Sequence, residues 1–411
     1  MRQLAAVGAL PRVERGTEAS ASSAWRVRCM WLLAALGSIV FIEPAPYDVL
    51  AIGMLTALFL GGMRAPRALA LPLLLVALFV VGNWLAAAAS EDPVTTLRSL
   101  GIRTYLCGTF VLFACAIASA PDRMMRALWS GYAVAAVIAV AWGALQYFGY
   151  LPHATGGYRA QAAFKDPNVF GPFLVPSALW FMGLMWQRRG RARLLGLALF
   201  AAAGFGVLIS FSRGAWLNLL VAVTAYFALR VSSARSARAS LKLIVAGFVL
   251  LAVAVGIVST AANTPGFATQ LAERARLFQE YDVATGGRFA SQARALQSVM
   301  TNPIGIGPGR TATEFGLEPH NLYLHVFTEG GWLAGLAFVS LLAVTLVKSL
   351  PLVRQPWEFQ PEAQLALAAL AGLLLQSFFI DSTHWRHLYL LLGVLWALIV
   401  VRSRVIARGA P

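Results

Sequence analysis

The chain has 411 residues, of which 59% are hydrophobic and only 12% are charged. A soluble domain carries about a quarter charged residues, so this composition excludes an ordinary soluble domain and indicates a membrane protein. Lys and Arg number 33 against 17 Asp and Glu, which gives a net charge of +16. Either nucleic-acid binding or basic cytoplasmic loops can explain that excess, and the positions of the charges decide between them.

The amino-terminal residues and the cysteines carry little chemistry. Residues 1–28 are polar and basic and lack the apolar core of a signal peptide, so they predict a disordered cytoplasmic tail. Cys29, Cys107 and Cys115 lie in or beside apolar runs, with a spacing that fits neither a metal site nor a disulfide framework. We interpret them as packing residues.

Apolar runs long enough to cross a bilayer recur along the chain. The predicted spans lie at about residues 29–42, 47–63, 68–90, 100–120, 127–149, 170–187, 194–211, 215–230, 243–259, 331–347, 363–380 and 388–401. The sequence therefore predicts an all-α polytopic integral membrane protein with about 12 transmembrane helices. Its parts are a tail at 1–28, helices 1–9 within 29–259, a large extracytoplasmic loop at 260–330, helices 10–12 within 331–401, and a cytoplasmic tail at 402–411.

Basic residues cluster in alternate connections, while the other connections are nearly free of short basic clusters. Arginines near span ends stay in the cytoplasm, so both termini are predicted to face the cytoplasm. Nucleic-acid binding is then not needed to explain the charge. The long loop falls on the opposite, extracytoplasmic side and should hold an amphipathic helix around Gln270–Met300.

All five histidines fall in the outer segments or at their membrane edges: His153, His320, His325, His384 and His387. Histidine is the side chain that transfers protons near neutral pH. This one-sided distribution favours a polar, extracytoplasmic chamber.

Two polar motifs stand at helix starts on the outer side of the membrane. In Lys165-Asp166-Pro167-Asn168, the Asp-Pro pair suits a plain helix start, and Lys165 also offers a cation to an outer cavity. In Ser212-Arg213-Gly214, the turn between two spans is so short that Arg213 must lie at the outer interface. Such an arginine either snorkels or binds an anion, and we favour the anion because the other short outer turns avoid basic residues.

Two further motifs belong to the long loop. Gly286-Gly287-Arg288 carries an arginine that is either simply solvated or functional. His320-Asn321 stands where the loop re-enters the membrane, and Asn321 also fits a structural helix cap. Glu329 follows inside that helix near the interface and is a candidate ion-pair partner.

The order of these motifs resembles the O-antigen ligase family, which includes lipopolysaccharide O-antigen ligases and related polysaccharide polymerases. The resemblance rests on the motifs around Lys165, Arg213, Arg288 and His320, together with Asn302-Pro303 and Gly305-Ile306-Gly307. It covers the span layout and is strongest over residues 160–340.

The resemblance implies glycosyl transfer at the outer face of the inner membrane. The donor would be a glycan on undecaprenyl diphosphate, and a ligase would transfer it to a hydroxyl of the lipid A–core oligosaccharide. Arg213 and Arg288 would stabilise the departing diphosphate, and His320 would accept the proton of the acceptor hydroxyl. Substrate-binding roles are implied for Lys165, Asp166, Asn321 and Arg310. No cofactor or metal is expected, since outer carboxylates are dispersed and His384 and His387 with Asp381 form a poor metal site.

Ligase and polymerase share the donor and differ in the acceptor. We favour a ligase because the histidine lies within a single dominant outer loop. A transporter is less favoured, since no repeat is evident and the polar candidates lie at one interface. A lipid donor further predicts that residues 260–330 fold over Arg213 as a lid.

Overall fold

The computed structural model describes residues 21–62, 65–152, 158–234, 236–263, 266–274, 284 and 286–409. Within these residues every regular element is helical, so the all-α prediction is confirmed. We number the described α-helices in chain order: α1 Ala21–Ala35, α2 Pro46–Leu60, α3 Ala70–Ala88, α4 Pro93–Ser119, α5 Pro121–Tyr147, α6 Pro167–Gln187, α7 Arg191–Ile209, α8 Arg213–Ser232, α9 Ala237–Ala262, α10 Phe267–Arg274, α11 Arg288–Thr301, α12 Thr311–Phe315, α13 Leu322–Arg354, α14 Gln360–Gln376 and α15 Arg386–Ala407.

A helix is present at each of the twelve predicted span positions. Within the described ranges, eight helices are long and apolar enough to cross a membrane, counting α3 together with the 3₁₀ turn at Arg67–Leu69 that precedes it. Helix α2 is apolar but shorter. The chain is thus a polytopic α-helical membrane protein, and the count of twelve spans stays a prediction.

Several helix boundaries differ from the sequence prediction, and three of them place helix in a predicted tail or loop. Helix α1 begins at Ala21, so residues 21–28 are helical although their polar composition indicated a disordered tail. Helix α13 begins at Leu322, before the predicted span, and changes direction at Gly331. Helix α15 continues to Ala407, so most of the predicted carboxy-terminal tail is helical. In each case charged residues extend a helix beyond the apolar run, because backbone hydrogen bonding does not require apolar side chains.

The connections separate into two ends of the helix bundle. At one end, here called the loop end, the backbone N–H of Val40 donates to Ala163 O at 3.1 Å, and Leu322 N donates to Ser377 O at 2.9 Å. At the other, here called the basic end, Arg404 Nη1 donates to Ala118 O at 2.6 Å. The arginine-rich connections lie at the basic end, and the four histidines of the described residues lie toward the loop end.

Four helices at the loop end begin with a polar residue whose side chain accepts a backbone N–H of the first turn. Such a cap satisfies one of the N–H groups that a helix start leaves without a partner. The sequence places a Ser, Asp or Asn directly before each apolar run, and that position fixes where the helix starts. The four caps are Asp92, Asp166, Ser212 and Asn321, for α4, α6, α8 and α13.

The centre of the bundle packs α13 against α3 and α15 against α4. Small residues allow the close approach, since a Cβ on Gly82 would lie 2.6 Å from Ala334 N. Cys107 and Cys115 are buried on α4 and, like Cys29, are free thiols, which agrees with a packing role. The α3–α4–α13–α15 core holds the polar residues that underlie the candidate site.

Candidate functional site

Helix α13 is broken at Gly331, which adopts φ +70°. The break leaves two carbonyl groups of the preceding turn without a partner inside the helix. Backbone N–H groups of the loop before α12 donate to these carbonyls instead. Ile306 N donates to Thr328 O at 3.0 Å, and Gly307 N donates to Glu329 O at 3.0 Å. The Gly305-Ile306-Gly307 motif is therefore a clip that fastens the outer loop to the kink of α13.

Glycine is required on both sides of this clip. A Cβ on Gly305 would lie 2.6 Å from Glu329 O, and a Cβ on Gly331 would lie 2.5 Å from Pro303 O. Trp332, just beyond the break, donates its backbone N–H to Pro303 O at 2.8 Å. Two backbones approach here without room for a side chain, so the glycines follow from packing as well as from φ.

Beneath the clip lies a fully buried ion pair between Glu329 and Arg103 of α4. The Glu329 carboxylate also accepts from Gly309 N at 2.8 Å, from Thr311 N at 3.2 Å and from Thr311 Oγ1 at 3.0 Å. One buried carboxylate thus joins α4, α13 and the loop that carries Arg310. The predicted ion-pair role of Glu329 is confirmed.

Arg103 has two further partners in the core. Its Nη1 donates to Asn83 Oδ1 of α3 at 2.7 Å, and its Nη2 lies 2.8 Å from His325 Nε2. His325 Nε2 also lies 3.2 Å from Glu329 Oε2. Buried charges require such partners, since an unpaired charge in the core costs several kcal/mol.

Asp381 continues the network toward the surface. Its Oδ2 lies 3.5 Å from both His325 Nε2 and His384 Nδ1, and Thr383 donates to the carboxylate through its backbone N–H at 2.9 Å. Burial by itself raises the pKa of Asp381, but the neighbouring His325 and the bonds from His384 and Thr383 outweigh it and lower that pKa below its usual range. Asp381 is therefore a carboxylate that stays ionised.

Arg103 and Asn83 were not predicted to be part of a polar core. The available signal was an arginine within the apolar run of α4, because a charge at that depth needs a partner. No spacing rule joins Arg103 to Glu329, which lies 226 positions later.

Helix α11 begins with Arg288 and is bonded to the segment that leads to His320. Gln292 Nε2 of α11 donates to Pro319 O at 3.0 Å, next to His320. Arg288 precedes Gln292 by one helical turn and lies on the same face. Arg294 Nη2 also donates to Phe315 O at 2.8 Å, which fixes α11 along the segment that leads to His320.

Arg213 is the first residue of α8 and lies beside the start of α13. A Cβ on Gly214 would stand 3.1 Å from Gln376 Nε2, so α8 begins against the end of α14. The next residue, Ser377, accepts the Leu322 N–H at 2.9 Å. The starts of α8 and α13 therefore both lie against the end of α14 at the loop end.

The amino-terminal part of the long loop folds over the turn that carries Arg213. The ring of Phe267 on α10 lies 5.3 Å from the ring of Phe211 and 6.3 Å from that of Tyr147, measured between centroids. The predicted helix around Gln270–Met300 corresponds to α10 and α11, and residues 275–283 between them lie outside the described residues.

Three non-glycine residues of the described chain have positive φ: Ala162 at +50°, Phe211 at +47° and His320 at +47°. The first two stand shortly before Lys165 and Arg213, and the third is itself a candidate residue. This conformation costs a non-glycine residue about 1–2 kcal/mol, and residues that adopt it cluster at functional sites. The backbone at all three motifs is thus held in a specific, strained shape.

Lys165 and Asp166 make local contacts. Lys165 Nζ pairs with Glu43, and Arg98 Nη2 pairs with the same carboxylate at 2.8 Å. The hydrogen bond from Lys165 is the largest cause that lowers the pKa of Glu43. Asp166 Oδ1 accepts Asn168 N at 2.8 Å as the cap of α6. The cation that was expected to face a cavity is already paired, and substrate binding by either residue stays a prediction.

Arg310 and Asn321 are likewise engaged. Arg310 Nη2 donates to Glu314 Oε1 at 2.8 Å, and its Nη1 lies 3.6 Å from Asp92 Oδ2. Asn321 caps α13, and its Nδ2 donates to Phe378 O at 3.2 Å. Both residues hold the loop on the bundle, and their predicted contacts with substrate stay untested.

His384 and His387 face different neighbours. His384 pairs with Asp381, while His387 is buried with its ring 5.3 Å from Trp385 and 6.3 Å from Phe173. Among the described residues, no group of three His, Cys, Asp or Glu is arranged to hold a metal ion. His153 lies outside the described residues.

A long apolar groove of about 750 Å³ runs between α7, α8 and α9 and ends under α10. At the loop end it is lined by Leu208, Trp216 and Leu271, and deeper in the bundle by Phe227 and Ile244. Trp216 follows Arg213 by one turn of α8. The groove thus connects the membrane-embedded part of the bundle to the region of Arg213.

A search of curated proteins finds no match to this chain. The family model described as O-antigen ligase matches residues 197–339. The matched segment contains Arg213, Arg288, Arg310 and His320, as well as the clip on α13. Residues 197–339 are thus similar to the O-antigen ligase family, which confirms the resemblance that the motifs predicted.

Proposed function

We propose that the protein is an O-antigen ligase that transfers a glycan from undecaprenyl diphosphate to a hydroxyl of the lipid A–core oligosaccharide. The family match indicates a glycosyl-transfer enzyme of the ligase and polymerase group. We further propose that the loop end faces the periplasm and that the basic end and both termini face the cytoplasm, in the bacterial inner membrane. The alternation of basic residues supports this orientation.

Three helix starts at the loop end, each with a candidate residue, support the proposal. Helix α8 begins with Arg213, α11 begins with Arg288, and α13 begins directly after His320 and its cap. The start of a helix presents free N–H groups and a partial positive charge, so it attracts anions. Two arginines at these starts add planar groups that match phosphate oxygens. The arrangement suits a diphosphate.

In this mechanism the acceptor hydroxyl attacks the anomeric carbon of the donor from the face opposite the diphosphate. His320 takes the proton of the hydroxyl as the new C–O bond forms, and the sugar–diphosphate bond breaks with its electron pair leaving on the diphosphate. Arg213 and Arg288 stabilise the charge that develops there. Attack from the opposite face inverts the anomeric configuration.

The apolar groove supports a lipid-linked donor. Its length, its apolar lining and its end near Trp216 suit an isoprenoid chain whose diphosphate reaches Arg213. The α10 helix over the α7–α8 turn then shields the diphosphate from water, which strengthens its electrostatic contacts.

The test is an in vitro transfer assay with purified protein, undecaprenyl-diphosphate glycan and lipid A–core, run with EDTA. Wild type should glycosylate lipid A–core. His320→Ala and Arg288→Ala should each lower the rate by about 100-fold or more, since a general base contributes ~100–10,000-fold and a charge-stabilising donor ~100–1,000-fold.

Glu318→Gln and Arg193→Gln are matched controls, because both side chains are exposed and lie beside the site or at the basic end. They should keep wild-type rates. Elongation of the lipid-linked glycan with lipid A–core left untouched would identify a polymerase instead. Full activity of folded His320→Ala would refute the assigned base.

A further inference from the structure

A second cleft lies at the basic end, far from the candidate site. It is formed by α1, α2, α4, α5 and α15 and encloses about 220 Å³. One water molecule needs only ~15 Å³ of such space, so the cleft has room for a larger group. Its lining includes Trp25, Arg26, Leu58, Cys115, Met124 and Arg404.

The two arginines come from opposite ends of the chain and meet at an otherwise mostly apolar cleft. The Arg26 guanidinium lies 5.8 Å from the ring of Trp25, and its Nε is buried without a hydrogen-bond partner among the described residues. Arg404 uses Nη1 on Ala118 O at 2.6 Å and has further N–H groups. A buried donor without an acceptor destabilises the folded protein, so an acceptor is expected in the cleft.

The surroundings define the chemistry of that acceptor. Among the described residues that line the cleft, none is acidic. Large apolar side chains flank it on the outer surface: Phe59 is 80% exposed, Leu60 78% and Ile406 62%. Cations at the end of a span, above exposed apolar residues, match the position of a phosphate above acyl chains.

We propose that this cleft binds the phosphate headgroup of an anionic phospholipid. Arg26 and Arg404 contact the phosphate oxygens, and the acyl chains follow the exposed apolar surface of α2. A phospholipid fits better than free phosphate, because most of the lining is apolar and the cleft borders the membrane-facing surface. This site is independent of the proposed glycosyl transfer, which uses the other end of the bundle.

The experiment uses the full-length protein in a neutral detergent, with phosphatidylglycerol or phosphatidylcholine added. Thermal unfolding gives the lipid-dependent rise in Tm, and native mass spectrometry counts retained lipid. Phosphatidylglycerol should raise Tm more than phosphatidylcholine does. Arg26→Gln should weaken its apparent affinity by about tenfold, since it removes charge-assisted hydrogen bonds.

Arg28→Gln is the matched control, because Arg28 is an exposed residue of the same helix and loses the same charge. It should retain the wild-type response to phosphatidylglycerol. The lipid-dependent increment is compared within each variant, so an altered starting stability does not affect the result. An unchanged response in Arg26→Gln, an equal response to phosphatidylcholine, or no retained lipid would each overturn the proposal.

Discussion

Glu329→Gln tests whether the buried ion pair holds the outer loop on the bundle. The substitution keeps the shape of the side chain but removes the charge that faces Arg103. Among the described residues, the partners left to Arg103 are Asn83 and His325. One of the two Glu329 oxygens that accept from Gly309 and Thr311 becomes an N–H donor. Removing one partner of a buried pair costs about 3–5 kcal/mol.

That loss corresponds to a fall in Tm on the order of 5 °C or more, since domains of ~150–250 residues shift by ~2–4 °C per kcal/mol and larger chains by less. The buried free thiols Cys107 and Cys115 make a thiol-reactive dye a direct probe of unfolding. The matched control is Glu43→Gln, which removes the same charge from a half-exposed pair with Lys165 and should cost under ~1 kcal/mol.

A double-substitution cycle separates the pair from its surroundings. If Arg103 and Glu329 stabilise each other, Arg103→Leu combined with Glu329→Leu should cost clearly less than the sum of the two single changes, by ~1–3 kcal/mol. A double variant whose loss of stability equals the sum of the two single losses would refute a mutual ion pair. So would a Glu329→Gln protein with the same Tm as the wild type.

Three further predictions follow from the same geometry. Gly331→Ala should lower Tm sharply, because its Cβ would meet Pro303 O at 2.5 Å at φ +70°, whereas Gly256→Ala, with open space around it, should not. Because the folded pKa of Asp381 is depressed, its stabilising effect is present above the ordinary aspartate pKa of about 3.9 and is lost as the pH falls toward the folded value. As the pH is lowered, the Tm of Asp381→Asn should therefore fall less than the Tm of the wild type. An equal fall in the two proteins would contradict this. Arg213→Lys should lower transfer by about tenfold or more while Tm is kept, since lysine lacks the bidentate fork; an unchanged rate would count against phosphate binding there.

Much of the fold was predictable from local sequence. Apolar runs of about 20 residues have few alternatives to a membrane helix, because every backbone group must be paired inside the bilayer. The helix starts were equally readable, since Asp166 and Asn321 stand directly before apolar runs and cap them as predicted for such residues. The ordered motifs also predicted the resemblance to the O-antigen ligase family, whose model matches residues 197–339.

The sequence by itself determined that this chain is a helical membrane protein, which connections are basic, and which motifs mark the candidate site. Only the tertiary structure decided which charges neutralise each other, because pairing depends on helix packing across hundreds of residues. It paired Arg103 with Glu329 and Lys165 with Glu43 instead of an open cavity. It also bonded α11, which begins with Arg288, to the backbone beside His320. Local patterns fix helices through backbone hydrogen bonds, whereas these contacts arise from distances that only packing sets.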